Sequence, residues 1–376
     1  MSQPLSTQAL VVRSEPKSLS LEDIVIVDLQ PDEILVEIVT SGICHTDLLA
    51  IDGILPMPGP GVLGHEGSTG RIKRVGEGVH HLNPGDNIML SYSSCGSCNH
   101  CRSQHTSYCE SLQARNSSGA RPDGSCALMS TSGERLFGNW FGQSSFSKYA
   151  VVDTSCAVRL APEVDLATLP PMGCGLMTGA GAVFNTLDVQ SGAGVAIFGV
   201  GAVGLSAVMA AKHRGAHPII TVDRIQERLD LALELGATHV INSTQVENVA
   251  GKIRQDTDSV GVRYALDCTG AATVIRIMMD SLALRGKGAS VGMPSSAPTV
   301  ELDILSHLCG GKQYIGSMLG DSSSQVLIPY LLELNKKGEF PVERLVTYYE
   351  VKDYEIAFTD VRNGRAVKAV LRWGAL

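Results

Sequence analysis

The sequence contains no uninterrupted apolar run of the roughly 18 to 20 residues that a membrane-spanning helix requires, so no membrane association is expected. It lacks any surplus of positive charge: 30 Lys and Arg face 38 Asp and Glu, for a net charge of −8. A polyphosphate backbone is bound by clustered Lys and Arg, so nucleic acid is not expected as a partner. Residues 1–12 show no basic segment followed by an apolar core and a small-residue cleavage site, and a cytoplasmic protein is expected. Internal repeats, charge blocks and long linkers are absent too. With 44% apolar residues, neither a fibrous nor a disordered class fits.

What the chain does have is length and a change of texture. At 376 residues it exceeds the size at which one hydrophobic core stops growing, so two domains are expected. From Gln8 to about Val152, short alternating stretches such as Ile34-Leu35-Val36-Glu37-Ile38 are broken by Gly, Pro, Ser and Asn, the pattern of an irregular β-rich domain. From about Gly175 to Ser317 the pattern becomes βαβ. Residues 195–198 read as a strand, 202–214 as a helix, 219–222 as the next strand and 228–235 as another helix. The last 60 residues read as strands and loops, ending in Ala366-Val367-Lys368-Ala369-Val370-Leu371. The Ser/Gly-rich stretch 116–133 reads as an insertion loop, because residues 146–152 resume the strand pattern after it. The expected class is α/β, with residues 1–175 and 319–376 in a β-rich catalytic domain and 176–318 in a doubly wound parallel-sheet domain.

Ten cysteines would suggest disulfides in a small secreted chain, whereas in a reducing compartment they point to metal or thiol chemistry. Their spacing decides. Cys95, Cys98, Cys101 and Cys109 form C-x2-C-x2-C-x7-C. Two-residue gaps let successive thiolates turn onto one ion at about 2.3 Å, and four sulfurs close a tetrahedral zinc shell with no open position. The main rival, an iron–sulfur cluster, lacks the C-P ending and second quartet of a bacterial ferredoxin. Such a zinc would stiffen a lobe with too little apolar content to pack by itself.

Cys44, His65 with Glu66, and Cys174 are far apart in the chain. Two thiolates and one imidazole would leave the open fourth position of a Lewis-acid zinc. Taken singly, a lone buried Cys is more often a small core residue and a lone His more often hydrogen-bonded filler than a ligand. Cys126, Cys156, Cys268 and Cys309 have no spacing partner and read as core or loop thiols; His80 and His81, beside Pro84-Gly85-Asp86, read as turn residues.

After residues 195–198 comes Gly199-Val200-Gly201-Ala202-Val203-Gly204, opening an apolar helix. In such a turn the first glycine allows the tight bend, the second lets a pyrophosphate approach backbone N–H groups, and the third lets helix pack on strand. Asp223 ends the next strand, 19 residues beyond Gly204. A carboxylate there accepts from adenosine ribose hydroxyls and repels a 2′-phosphate, which favours NAD(H); Arg224, directly after it, is the candidate phosphate partner that would favour NADP instead.

Together these pieces resemble the zinc-containing alcohol dehydrogenases of the medium-chain dehydrogenase/reductase family, over nearly the whole chain. The carrying residues are Gly42-Ile43-Cys44-His45-Thr46-Asp47, Gly64-His65-Glu66, the four-cysteine lobe, Gly173-Cys174-Gly175 with Thr178-Gly179, and the glycine turn with Asp223. The resemblance implies a GroES-like catalytic domain beside a Rossmann coenzyme domain. It implies catalytic zinc on Cys44, His65 and Cys174, with Glu66 a transient or outer ligand and Asp47 orienting His65. Thr46 matches the hydroxyl that takes the alcohol proton. His45 and Lys368 match basic pyrophosphate contacts, Arg228 an adenosine-ribose neighbour, and Thr178 and Val203 buttresses of the nicotinamide ring. Many relatives end the proton relay in a His that is Leu49 here. Leu55, Ser91, Trp140, Met293 and Met318 match the substrate pocket. Ser91 stands where small-alcohol enzymes often carry a bulky aromatic, so a larger or aromatic alcohol/aldehyde pair is expected, as in the benzyl- and aryl-alcohol members. Two zinc ions per chain, NAD(H) and a homodimer whose coenzyme domains pair edge to edge through strands near residues 300–305 and 314–318 complete the expectation. The alternatives are an NADP-preferring aldehyde or enone reductase, and a quinone-reductase-like or crystallin-like binding protein.

Overall fold

The computed structural model describes residues 4–14, 17–294 and 298–374; residues 1–3 of the amino-terminal stretch considered above lie outside them. The chain divides into two units. One comprises Met1–Cys174, Ser323–Pro329 and Glu343–Leu376, and the other Gly175–Ser322 and Tyr330–Val342.

The first unit is built on two sheets. The larger runs in the order Ala157–Arg159, Asn87–Leu90, Glu66–Val75, Glu33–Gly42, Lys368–Arg372, Val346–Glu350, with Tyr149–Asp153 also on Glu33–Gly42. The smaller runs Gly61–Val62, Leu5–Ser14, Lys17–Ile26, Leu128–Ser130, Arg135–Leu136. Alternation along Glu33–Gly42 sends Ile34, Val36 and Ile38 into a core with Leu10, Phe146 and Trp373. The register of this central strand places the site. Gly42, at its end, lies opposite Glu66 on one side and Val370 on the other. Cys44, the pair His65-Glu66 and Lys368 are thereby brought to one end of the sheet, although they span most of the sequence.

The second unit holds a six-stranded parallel sheet ordered His239–Asn242, Ile219–Asp223, Val195–Phe198, Val262–Asp267, Leu282–Ser290, Gln313–Gly316. Numbered along the chain, that is 3-2-1-4-5-6, the doubly wound order whose topological switch lies between the first and fourth strands. Ala196, Phe198, Ile220, Val222 and Ala265 form its core with Met278 of the helix Ala272–Ser281. Such runs are apolar throughout because helices cover both faces.

Several readings of the sequence are corrected. The last 60 residues carry the helices Ser324–Lys336 and Tyr354–Arg362; Pro329 inside the first breaks the pattern by which a helix is recognised. Residues 300–305 are not a strand. The helix Ile304–Gly310 begins there, its Asp303 cap accepting from the Ser306 N–H at 3.0 Å. The stretch 116–133 is fastened: Leu128–Ser130 pairs with Lys17–Ile26, and buried Arg121 grips Glu33 through two bonds of 2.7 Å. The strand expected at 146–152 is Tyr149–Asp153. Residues 330–342, assigned by sequence to the first domain, belong to the second unit, where Leu331, Leu334 and Phe340 are buried.

Candidate metal centre and coenzyme turn

Ligand atoms of Cys44, His65, Glu66 and Cys174 all lie within 4.8 Å of one another, at the sheet end that the Gly42 register creates. Backbones crowd there to a degree that only glycine permits. A Cβ on Gly42 would sit 2.4 Å from the Glu66 carbonyl oxygen, and one on Gly173 would sit 2.1 Å from that of Leu90. The Ser91 hydroxyl, donating to the Gly173 carbonyl at 2.6 Å, ties down the segment that carries Cys174.

Cys44 precedes the short helix His45–Ile51, whose third residue, Asp47, reaches back to accept from the Cys44 N–H at 3.2 Å. Asp47, fully buried, also accepts from His65 Nδ1 at 2.9 Å, Trp140 Nε1 at 3.0 Å and the Gly64 N–H at 3.3 Å. His65 Nε2 is buried with no hydrogen-bond partner among the described residues. One ring nitrogen held by a carboxylate and the other bare is how a metal-ligating imidazole is presented. Burial alone would lower the His65 pKa, yet Asp47 and Cys44 outweigh it and hold it well above its ordinary value. Cys44 is held well below the ordinary thiol range, first by the hydrogen bond from Cys174 and then, against burial, by the His65 charge. Two sulfurs, one nitrogen and a carboxylate fit zinc. Lys368, expected at the coenzyme pyrophosphate, lies buried with its Nζ 3.1 Å from Glu66 Oε2 and donating to the Ile43 carbonyl at 3.4 Å. Burial lowers the pKa of this ammonium, but Glu66 and the two thiols raise it more. The Thr46 hydroxyl lies 3.7 Å from Cys44 Sγ, His45 is exposed and Leu49 is buried.

The second set, Cys95, Cys98, Cys101 and Cys109, also has its sulfurs within 4.8 Å of one another. Local amides point at them: Cys98 N–H donates to Cys95 Sγ at 3.4 Å and Cys95 N–H to Cys109 Sγ at 3.3 Å. Donation from the Ser97 and Cys98 amides lowers Cys95 to about 6, whereas burial pushes Cys101 up to about 12. Four sulfurs without a vacant direction suit a structural zinc.

In the second unit the turn Gly199–Gly204 lies at the topological switch of the parallel sheet. A Cβ on Gly204 would lie 2.0 Å from the Gly199 oxygen, so helix and turn pack only through glycine. Gly201, which precedes the helix Ala202–His213, would meet nothing nearer than Arg228 Nη1 at 4.0 Å. Its outer side is open for a phosphate to approach the helix N-terminus. Asp223 Oδ2 accepts from the Val200 N–H at 2.7 Å, and Oδ1 accepts from the Arg224 and Ile225 N–H groups at 2.7 and 3.0 Å. Arg228 turns toward Gly201, its buried Nε without a hydrogen-bond partner among the described residues, while Arg224 is exposed. Thr178 lies on the helix Gly175–Gly181, which packs on the helix Ala202–His213 where Gly179 meets the Val203 carbonyl. Of the expected pocket residues, Leu55, Ser91 and Trp140 belong to the first unit, Met293 and Met318 to the second.

Two residues around His65 escaped the sequence reading. Phe141 stacks on its ring at 4.2 Å, and Gln143 donates to its backbone carbonyl at 3.3 Å. The only signal was the turn-forming pair Asn139 and Gly142 around two aromatics.

Comparison with known proteins agrees with this architecture. Family models match as an alcohol dehydrogenase GroES-like domain over residues 30–162 and a zinc-binding dehydrogenase over residues 202–334. The chain is 36% identical to a geraniol dehydrogenase of Castellaniella defragrans over 367 residues, 98% of each. The solved alcohol dehydrogenase zinc-binding domain protein of Burkholderia ambifaria is similar with a TM-score of 0.95 and 43% identity, over 98% of this chain and 99% of that one. Benzyl alcohol dehydrogenase of Acinetobacter calcoaceticus gives 0.93 and 38% over the same shares.

Proposed function

The chain belongs to the zinc-dependent alcohol dehydrogenases, and from that premise we propose that it moves hydride between NAD(H) and a bulky or aromatic alcohol/aldehyde pair, using Cys44, His65 and Cys174 to hold catalytic zinc. Zinc bound there supplies a Lewis acid that lowers an alcohol's pKa toward neutrality. This chain's own residues do the rest. Asp47 fixes the His65 tautomer, Lys368 balances Glu66 beside the two thiolates, and Thr46 is the hydroxyl that takes the alcohol proton. The observation that carries the reading is His65, with Nδ1 on Asp47 and Nε2 bare among Cys44, Glu66 and Cys174.

The coenzyme reading rests on Asp223, which stands beside the open face of Gly201 and would repel a 2′-phosphate. The substrate reading rests on Ser91: small, buried and with its hydroxyl committed to Gly173, it offers little bulk. The similar geraniol and benzyl alcohol dehydrogenases carry names that point the same way. We further propose a cytoplasmic homodimer with a second zinc in each four-cysteine lobe. Metal analysis of purified enzyme should give two zinc per chain, and an alcohol screen at 340 nm should favour aromatic or terpenoid alcohols with NAD over ethanol and over NADP. One zinc per chain, or a preference for ethanol or NADP, rejects the corresponding part.

A further inference from the structure

Residues 139–144 are a strained stretch next to the metal centre. Asn139, Phe141, Gly142 and Ser144 all adopt left-handed backbone, with φ of 62°, 51°, 70° and 46°. That conformation is costly for residues with side chains and rare for a bulky aromatic, so surrounding contacts must impose it. They run toward His65. Phe141 lies on the imidazole face at 4.2 Å with an interplanar angle of 20°. Gln143 donates to the His65 and Ser91 carbonyls. The Ser144 hydroxyl accepts from the Trp140 N–H at 2.9 Å and donates to the Val62 carbonyl at 2.7 Å, fastening the loop to the strand before Gly64. The Trp140 indole N–H donates to Asp47 Oδ1, the same oxygen that accepts from His65 Nδ1.

We propose that residues 139–144 form a positioning clamp for His65, with the Trp140 indole N–H as its specific element. This rests on the reading that Cys44, His65 and Cys174 hold zinc. A buried carboxylate oxygen shared by two aromatic N–H donors has its direction fixed by both. The indole N–H is a donor only and carries no charge, so it always presents its proton to the Asp47 oxygen. A phenylalanine at this place would keep an aromatic ring but remove the indole donor, leaving Asp47 Oδ1 to the His65 and Gly64 N–H groups alone. Trp140 is therefore a positioning residue, acting on the metal through Asp47 and His65.

Zinc release to a chromogenic chelator separates this role from packing, because the four-cysteine zinc of the same chain reports on the fold. The two release phases are assigned with Cys174→Ser and Cys98→Ser. Trp140→Phe should speed release from the Cys44 site by roughly tenfold or more, as loss of an outer partner does, with the four-cysteine phase unchanged. Trp140→Gln restores an N–H donor of similar reach on a smaller side chain and should release more slowly than Trp140→Phe. Unchanged release in Trp140→Phe overturns the proposal. So does equal acceleration of both phases, or a Gln variant worse than the Phe variant, since each marks packing alone. A wild-type chain that releases only the four-cysteine zinc rejects the metal reading itself, and the clamp with it.

Discussion

Asp223 carries three backbone hydrogen bonds besides its charge, so its removal acts on both the glycine turn and coenzyme choice. Asp223→Ser should raise the KM for NAD and shrink the ratio of kcat/KM for NAD over NADP, because the repulsion of a 2′-phosphate disappears. Steady-state kinetics with both coenzymes check this; an unchanged ratio would show that the carboxylate does not discriminate. Thr46 is a separate matter. Thr46→Val keeps the volume beside Cys44 and deletes the hydroxyl, so single-turnover hydride transfer should fall roughly 100- to 10,000-fold while zinc content stays constant. A near-full rate rules Thr46 out as proton acceptor. Leu49, buried on the same short helix, has no proton to exchange, and the wild-type pH–rate profile should lack the inflection near 6.5 that a relay histidine would give.

Elements differ in how openly the sequence declares them. The four-cysteine lobe and the glycine turn were legible because their parts are contiguous and their chemistry dictates the spacing: C-x2-C-x2-C, and three glycines between a strand and a helix. Cys44, His65 and Cys174 were legible only through resemblance, because strand register rather than sequence distance brings them together. The 139–144 clamp was hidden, since nothing in two adjacent aromatics announces a left-handed phenylalanine. Contiguity also predicts how the sites fail. Cys98→Ser should lower thermal stability and release one zinc, because that lobe has little apolar content to fall back on. Gly173→Ala acts differently: its Cβ would collide with the Leu90 carbonyl at 2.1 Å and push the Cys174 segment off the sheet end. Turnover should be lost with one zinc retained, in the four-cysteine lobe. Metal analysis and melting curves of the two variants test this contrast, and an active Gly173→Ala enzyme with two zinc ions would falsify it.

At the scale of the whole molecule, the second unit's sheet ends in an edge that lacks the usual protection. Gln313–Gly316 pairs with Leu282–Ser290 on one side and with no strand of the chain on the other, among the described residues. Next to it in the chain, the helix Ile304–Gly310 exposes Ile304 by 82% and Leu308 by 76%, and Leu284 is 75% exposed. Open strand edges are normally blunted by charge or cover, and apolar groups this exposed mark an association surface. A two-fold axis at the edge would pair Gln313–Gly316 with its own copy and bury these side chains in one self-complementary contact. The expected segment at 300–305 then contributes through a helix rather than a strand, which alters the contact but not the symmetry. Because every residue of a two-fold interface occurs twice, Leu308→Lys introduces two like charges into it. Light scattering should find wild type as a dimer and Leu308→Lys as a monomer at the same concentration, with two zinc ions per chain retained to show that the subunit is intact. A wild-type monomer, or a Leu308→Lys protein that stays dimeric, removes this edge as the interface.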